Sequence, residues 1–445
     1  MSALLPRKVV VGYGLGSLGT GIYTTVPGLL LLYYMTDVLG VAAGLAGLAI
    51  LVPKLWDVFT DPWMGHLSDR TRSRWGRRRP YLLAGALTLP IFFGLLFTTP
   101  ILEPTGSFVY TLALFALCAS AFTVYSVPYI AMPAEMSDDY HEATRLMAYR
   151  MAFMTVGILI AGAGAPMLVK LGGGGRSGYT LMGWAIAGAL LVGLASAFFG
   201  TRRAPYAAAE ERDESQPGLL AQLRIALQNR PFFVLIFAYA LQLTAVGCLL
   251  ATVPFFAKYI VGGGGDPEDM VTLLFVALVG PAIVMMPVWL AISRRLGKNR
   301  TYQISLVLFG LSTMTLWWSP GRPALAIVAV VTVMGAAYAA TQLFPFSMLP
   351  DVLAADRARD GVRREGIFSG VWMALDKGGV AFGGFLASQV LGATGFVESR
   401  PGVLVTQPAS ALEGIMIATA ILPTGFTLLS LAIFRRYRLR PPGEA

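Results

Sequence analysis

The sequence is poor in charge, in histidine and in cysteine. Only 13% of its 445 residues are Asp, Glu, Lys or Arg, and 56% are hydrophobic, whereas about a quarter of a soluble domain is charged. A water-soluble fold is therefore excluded, and the chain reads as a polytopic membrane protein. The two cysteines, Cys118 and Cys248, both fall in apolar runs. They exclude a disulfide framework and read as small buried hydrophobes. The two histidines, His66 and His141, have no Cys, His or carboxylate neighbours at ligand spacing, so no metal site is expected. No nucleophile is accompanied by a base, so the chain is not read as an enzyme and no cofactor is expected. The net charge of +10 lies in short clusters between apolar runs, the pattern of loops on one side of a membrane, which argues against a nucleic-acid partner.

Long apolar runs are abundant. Spans of about twenty residues can be placed at roughly 9–35, 41–66, 81–101, 107–134, 145–170, 178–199, 231–261, 269–293, 302–319, 324–350, 366–392 and 412–434. The expected fold is an all-α membrane protein with twelve transmembrane helices in two six-helix bundles, residues 1–200 and 231–445, joined by a polar cytoplasmic linker at 201–230. Arg7 and Lys8 precede a run too long for a signal-peptide core, so the first span is expected to be retained. Basic residues fill alternate loops, at Arg70 to Arg79, Arg202 to Arg230, Arg294 to Arg300, Arg357 to Arg364 and Arg435 to Arg440. Both termini are accordingly expected in the cytoplasm, and the protein in the inner membrane. Gly76-Arg77-Arg78-Arg79 and Gly297-Lys298-Asn299-Arg300 lie 221 residues apart, a weak internal repeat of the kind that parallel six-helix halves leave.

Three charges interrupt the second span. In Pro53-Lys54-Leu55-Trp56-Asp57-Val58-Phe59-Thr60-Asp61-Pro62 the helical period puts Lys54, Asp57 and Asp61 on one face. A charge near the bilayer centre costs about 2.5–3.5 kcal/mol even on the lenient insertion scale. The face therefore reads as an internal ion or proton path, with a structural Lys54–Asp57 pair as the plainer alternative. Two carboxylates one turn apart repel, so they either share a proton or lean on an ammonium such as Lys54 or Lys377. Gly14-Leu15-Gly16-Ser17-Leu18-Gly19 matches the dinucleotide fingerprint letter for letter, but no strand precedes it, and small residues in a span serve close helix packing. The glycine runs at 172–175 and 262–265 read as loop turns.

Trp56-Asp57, Asp61-Pro62 and Asp69-Arg70-Thr71-Arg72-Ser73-Arg74-Trp75-Gly76-Arg77-Arg78-Arg79-Pro80 together resemble the glycoside, pentoside and hexuronide cation symporters of the major facilitator superfamily. Tyr13-Gly14, Tyr33-Tyr34, Arg150 and Arg363-Arg364-Glu365-Gly366 before Lys377-Gly378-Gly379 extend the resemblance along the chain. It implies cation-coupled symport, by H+ or Na+, of a small solute such as a sugar or sugar acid. Asp57 and Asp61 would bind the cation, Thr60 beside them, with Lys54 coupling them and Lys377 facing them from the other half. In the melibiose permeases two carboxylates bind the sugar, at positions held here by Gly21 and Ser126, and the asparagine beside their cation pair aligns with Thr60. A galactoside site like theirs is therefore not expected, and protons become as good a coupling ion as sodium.

For Arg150 two partners compete, Glu135 across a helical hairpin or an anionic group on the substrate, which suits a planar guanidinium. Thr123 and Trp372, with Phe122 and Tyr125, are candidate cavity-lining residues. Asp138, Asp139 and Arg145 resemble the family's loop after the fourth helix. Asp69, Arg70, Asp351, Arg363 and Glu365 are candidates for cytoplasmic gate contacts. The chain is thus read as a monomeric secondary transporter working by alternating access. A lysolipid transporter of the same fold and a proton-coupled exporter are the alternatives.

Overall fold

The computed structural model describes residues 5–137, 140–202, 204, 224, 227–261, 266–360, 365–398 and 406–438. Their regular elements are all helical. Two compact units emerge. The first is Met1–Asp213 with Glu398–Val405, and the second Glu214–Val397 with Thr406–Ala445. Most of the expected linker, together with Asp138, Asp139, Arg363 and the glycines at 262–265, lies outside the described residues.

Unit 1 contains α1 (Arg7–Val26), α2 (Ala43–Arg70), α3 (Arg79–Leu96), α4 (Pro104–Ala131), α5 (Tyr140–Leu171) and α6 (Gly175–Gly200). Helix α1 continues past Val26 as π turns at Pro27–Leu31 and Tyr34–Val38. The first π turn begins at Pro27, which has no N–H to continue the α-helical ladder. The threonines of α1 return their hydroxyls to their own helix, Thr20 to Ser17 O at 2.9 Å and Thr25 to Gly21 O at 2.8 Å. Such back-bonding keeps a polar helix solvated from within.

Glycine sets the packing of α1. A side chain on Gly21 would strike the carbonyl of Met154 in α5, and one on Gly157 the carbonyl of Leu18; one on Gly16 would meet Ala197 of α6 at 2.7 Å. The glycines that mimic a nucleotide fingerprint are thus the surface on which two neighbouring helices lie. The run at 172–175 turns the chain between α5 and α6, with positive φ at Gly173, Gly174 and Gly175, a conformation that glycine adopts without strain.

Unit 2 contains α7 (Arg230–Phe256, extended by a π turn Ala257–Val261), α8 (Pro267–Leu296), α9 (Lys298–Thr315), α10 (Ala324–Asp360), α11 (Glu365–Ala393) and α12 (Ala409–Phe434, with a π turn at Ile417–Ile421). Asn229 starts α7 by accepting from Phe232 N at 3.0 Å, and its amide donates to Asp356 at 2.7 Å. Helix α8 carries Glu268 and Asp269 in its first turn and Arg294 and Arg295 in its last, the order the helix dipole favours. As in unit 1, the first and fifth helices meet through glycine: added side chains on Gly247 and Gly383 would hit the carbonyls of Val380 and Thr244.

Among the described residues, nine helices are long and apolar enough to cross a membrane by length and composition. The three that fall short are α1, α9 and α11. A serine, threonines and glycines dilute α1, Lys298-Asn299-Arg300 opens α9, and Asp376, Lys377 and seven glycines lie in α11. Several helices also outrun their apolar windows: α2 continues to Arg70, α5 begins at Tyr140 and α10 runs to Asp360, beyond the 350 expected. Charged ends are invisible to a hydropathy window although they are helical. Large apolar side chains such as Ile91, Val192, Val284, Leu311 and Leu325 stay exposed, as lipid-facing surfaces require.

Candidate functional site

The middle of α2 gathers its three charges against α4 and α1. Asp57 is 1% exposed, and its Oδ2 lies 3.5 Å from Lys54 Nζ. Thr123 of α4 approaches both carboxylates, at 2.7 Å from Asp61 Oδ1 and 3.4 Å from Asp57 Oδ1. A hydroxyl carries a single proton, so the shorter contact to Asp61 takes it. The Lys54 ammonium also lies over two rings, 5.2 Å from the centre of Tyr23 and 5.4 Å from that of Phe115, a stabilising cation–π arrangement. Tyr23 is fixed by stacking on Phe122 at 4.4 Å. The three charged groups sum formally to −1, with three oxygen-bearing side chains converging, which suits a proton or a hard monovalent cation bound through oxygen.

The neighbouring candidate residues make other contacts. The Thr60 hydroxyl donates to Trp56 O at 3.2 Å, within its own helix. Thr123, expected to line a solute cavity, is the hydroxyl that bridges the carboxylates. Ser120, one turn earlier, accepts from Trp56 Nε1 at 3.1 Å. Gly21 is a helix-packing position, as described above, and Ser126 is buried with its Oγ unpartnered.

Arg150 lies among tyrosines. Its guanidinium centre is 6.0 Å from the Tyr129 ring, Nη1 approaches Met147 Sδ at 3.9 Å, and Nε is buried without a hydrogen-bond partner. Tyr129 stacks on Tyr13 at 4.6 Å and on Tyr125 at 5.2 Å, and donates to Tyr13 O at 2.6 Å. Glu135, the protein-side candidate for Arg150, is engaged elsewhere. Arg77 Nη2 and Arg78 Nε both reach its Oε1 at 2.7 Å.

That pairing belongs to a basic cluster at the α2–α3 end. Arg78 also binds Asp69 and Ser68, and Arg79 donates to Phe198 O at 3.0 Å while stacking on its ring. Of the proposed gate residues, Asp69 is thus held inside unit 1, and Arg70 is exposed at the end of α2. In unit 2, Asp351 pairs with Lys298 at 2.6 Å, and Glu365 opens α11. Lys298 stands 221 residues after Arg77, so the two repeated basic runs each grip an acid beyond the fourth helix of a unit or in its last turns.

Trp372 and Lys377 lie on α11. Trp372 is 1% exposed and stacks on Tyr239 at 5.0 Å; Lys377 is half-buried. Between them Asp376, next to Lys377 in the chain, accepts from Tyr239 at 2.9 Å.

A helical fold of long apolar helices with a charged seam on α2 accords with a membrane transporter. The family described as MFS/sugar transport protein matches residues 12–440, and the chain belongs to it; this is the symporter family that the α2 motifs resemble. An uncharacterized symporter of Synechocystis, sll1374, is 31% identical over 95% of this chain and 93% of its own length. A glucuronide carrier protein homolog of Escherichia coli is 27% identical over 99% and 94%. Among solved structures, a bacterial homolog of the human lysosomal transporter Spinster, inward-facing and unoccupied, superposes with a TM-score of 0.69 at 14% identity, covering 98% of each chain. The protein is a multi-pass membrane protein whose substrate is a small molecule.

Proposed function

We propose that the protein is a cation-coupled symporter that takes up a sugar or sugar acid by alternating access, with H+ or Na+ as the coupling ion. The observation that carries this reading is the pair of α2 carboxylates joined through Thr123 and balanced by Lys54. Asp57 and Asp61 bind the cation, with Thr123 as an added oxygen and Thr60 beside them. Lys54 is the tethered charge that the cation displaces, and Lys54 and Lys377 couple that exchange to the conformational equilibrium. A ligand shifts such an equilibrium only by its differential affinity for the two states.

Arg150 meets an acidic group on the solute. The support is its buried, unpartnered Nε and the commitment of Glu135 to Arg77 and Arg78; the name of the glucuronide carrier homolog points the same way. Ser126 and Trp372 complete the proposed solute contacts, while Gly21 serves them by holding α1 against α5. In this reading twelve helices cross the inner membrane as bundles 1–200 and 231–445, joined by 201–230, with both termini cytoplasmic. Asp69, Arg70, Asp351, Arg363 and Glu365 serve the cytoplasmic gate of a monomer.

The test is uptake into proteoliposomes of glucosides, glucuronides and lysophospholipid, with sodium and pH gradients imposed separately. Accumulation of a glycoside or its acid driven inward by one gradient is the expected result. Lysophospholipid movement alone, or flux opposite to the cation gradient, overturns it.

A further inference from the structure

Unit 2 contains a polar cluster that the ion-coupling site does not use. Tyr239 of α7 stands between Gln342 of α10 and Asp376 of α11, with its hydroxyl 3.2 Å from Gln342 Oε1 and 2.9 Å from Asp376 Oδ1. One hydroxyl proton cannot serve both acceptors, and the ionisable carboxylate holds it more strongly. Gln342 is then better turned with its NH2 toward the phenol oxygen. As the amide stands, its Nε2 is buried without a partner. Trp372 adds a second orphan. Its ring stacks on Tyr239 at 5.0 Å and meets Phe346 edge-on at 5.5 Å, and its Nε1 is buried with no acceptor.

An unmet buried polar group costs about 1–3 kcal/mol, and native proteins seldom leave two in one cluster. The orphans are an indole donor and an amide, next to a carboxylate of which Oδ1 is committed to Tyr239. Beside them Phe346 is 46% exposed and offers an apolar face. A group that donates, accepts and carries C–H surface satisfies this set, and a hydroxylated ring has all three properties. An acidic group does not, because Asp376 repels it.

We propose that Trp372, Gln342 and Asp376, positioned by Tyr239, form a subsite in unit 2 for the hydroxyl groups of a neutral sugar ring. This rests on the reading of the protein as a solute symporter and assigns unit 2 the recognition of hydroxyls. Trp372 and Gln342 are specificity-determining residues here, and Tyr239 is a positioning residue.

The experiment uses the full chain in proteoliposomes, with p-nitrophenyl glucoside, p-nitrophenyl glucuronide and their monodeoxy analogues as probes. Trp372→Phe keeps the stacked ring and removes the N–H; Gln342→Leu removes the amide at similar volume. Each is expected to raise KM about tenfold, the size of one lost hydrogen bond, and to abolish discrimination against one monodeoxy analogue. Asp376→Asn should relax the preference at a second hydroxyl. Wild-type KM and an unchanged analogue ranking in both Trp372→Phe and Gln342→Leu overturn the proposal, leaving water as the occupant. Loss of ion coupling in the wild type with the KM pattern intact defeats the symport reading alone, whereas wild-type transport of lysophospholipid and no glycoside defeats both.

Discussion

The two units share a frame and differ in what they hold at mid-helix. In each, the first and fifth helices meet glycine to carbonyl, Gly21 and Gly157 in one and Gly247 and Gly383 in the other. In each, a basic run after the second helix binds an acid beyond the fourth helix or in its last turns, Arg77 and Arg78 on Glu135 and Lys298 on Asp351. The middle of unit 1, by contrast, carries two carboxylates and an ammonium with their oxygens joined through Thr123. The middle of unit 2 carries a phenol, an amide, an indole and a carboxylate, two of whose polar neighbours lack partners. The shared frame thus holds a charged seam in unit 1 and an aromatic, partly unpartnered polar cluster in unit 2.

The largest effect expected from disturbing this contrast is that of Asp57→Asn. Removing one partner of a buried pair costs about 3–5 kcal/mol, so gradient-driven accumulation should fall at least about a hundredfold while solute counterflow persists. Uptake assays read both, and a variant that still concentrates solute contradicts the ion role of α2. Next comes Glu135→Gln, which takes from Arg78, 6% exposed, the buried one of its two carboxylates and leaves it only the exposed Asp69. Its thermal stability should drop by about 3 kcal/mol. The counterpart Lys298→Ala should shift it by less than about 1 kcal/mol, since that pair is over 40% exposed on both sides. Equal melting shifts for the two would mean that burial does not separate the clamps.

Gly21→Ala and Gly247→Ala probe the shared frame. Each forces a methyl onto a backbone carbonyl and should destabilise by about 1–3 kcal/mol, visible as paired losses in melting temperature; a loss in one alone would break the equivalence of the units. The smallest effect is that of Lys54→Met, which removes the tethered competitor for the carboxylates. Apparent affinity for the coupling cation should rise about tenfold, the equivalent of about 1.4 kcal/mol, in a cation titration of uptake.

Much of the fold is legible in the apolar runs, because a bilayer imposes length and composition on a span directly. The α2 seam is legible too, since Lys54, Asp57 and Asp61 share a face by helical period alone. Thr123 is harder. Ser120, Thr123 and Ser126 all lie on α4, and which hydroxyl turns toward α2 depends on packing between helices. From sequence Glu135 is a candidate partner for Arg150, whereas proximity in the fold gives it to Arg77 and Arg78. Asp376 is not a candidate in the sequence because its contact, Tyr239, is 137 residues away. Local period reveals a charged face; partners on other helices emerge only in three dimensions.

The central claim, that the α2 carboxylates carry the coupling ion, is tested most directly by ion movement on addition of solute to proteoliposomes without an imposed gradient. The wild type should show solute-dependent entry of protons or of radioactive sodium, and the Asp57→Asn, Asp61→Asn double variant should show none while still exchanging solute. Solute-dependent ion entry that survives in the double variant would contradict the account.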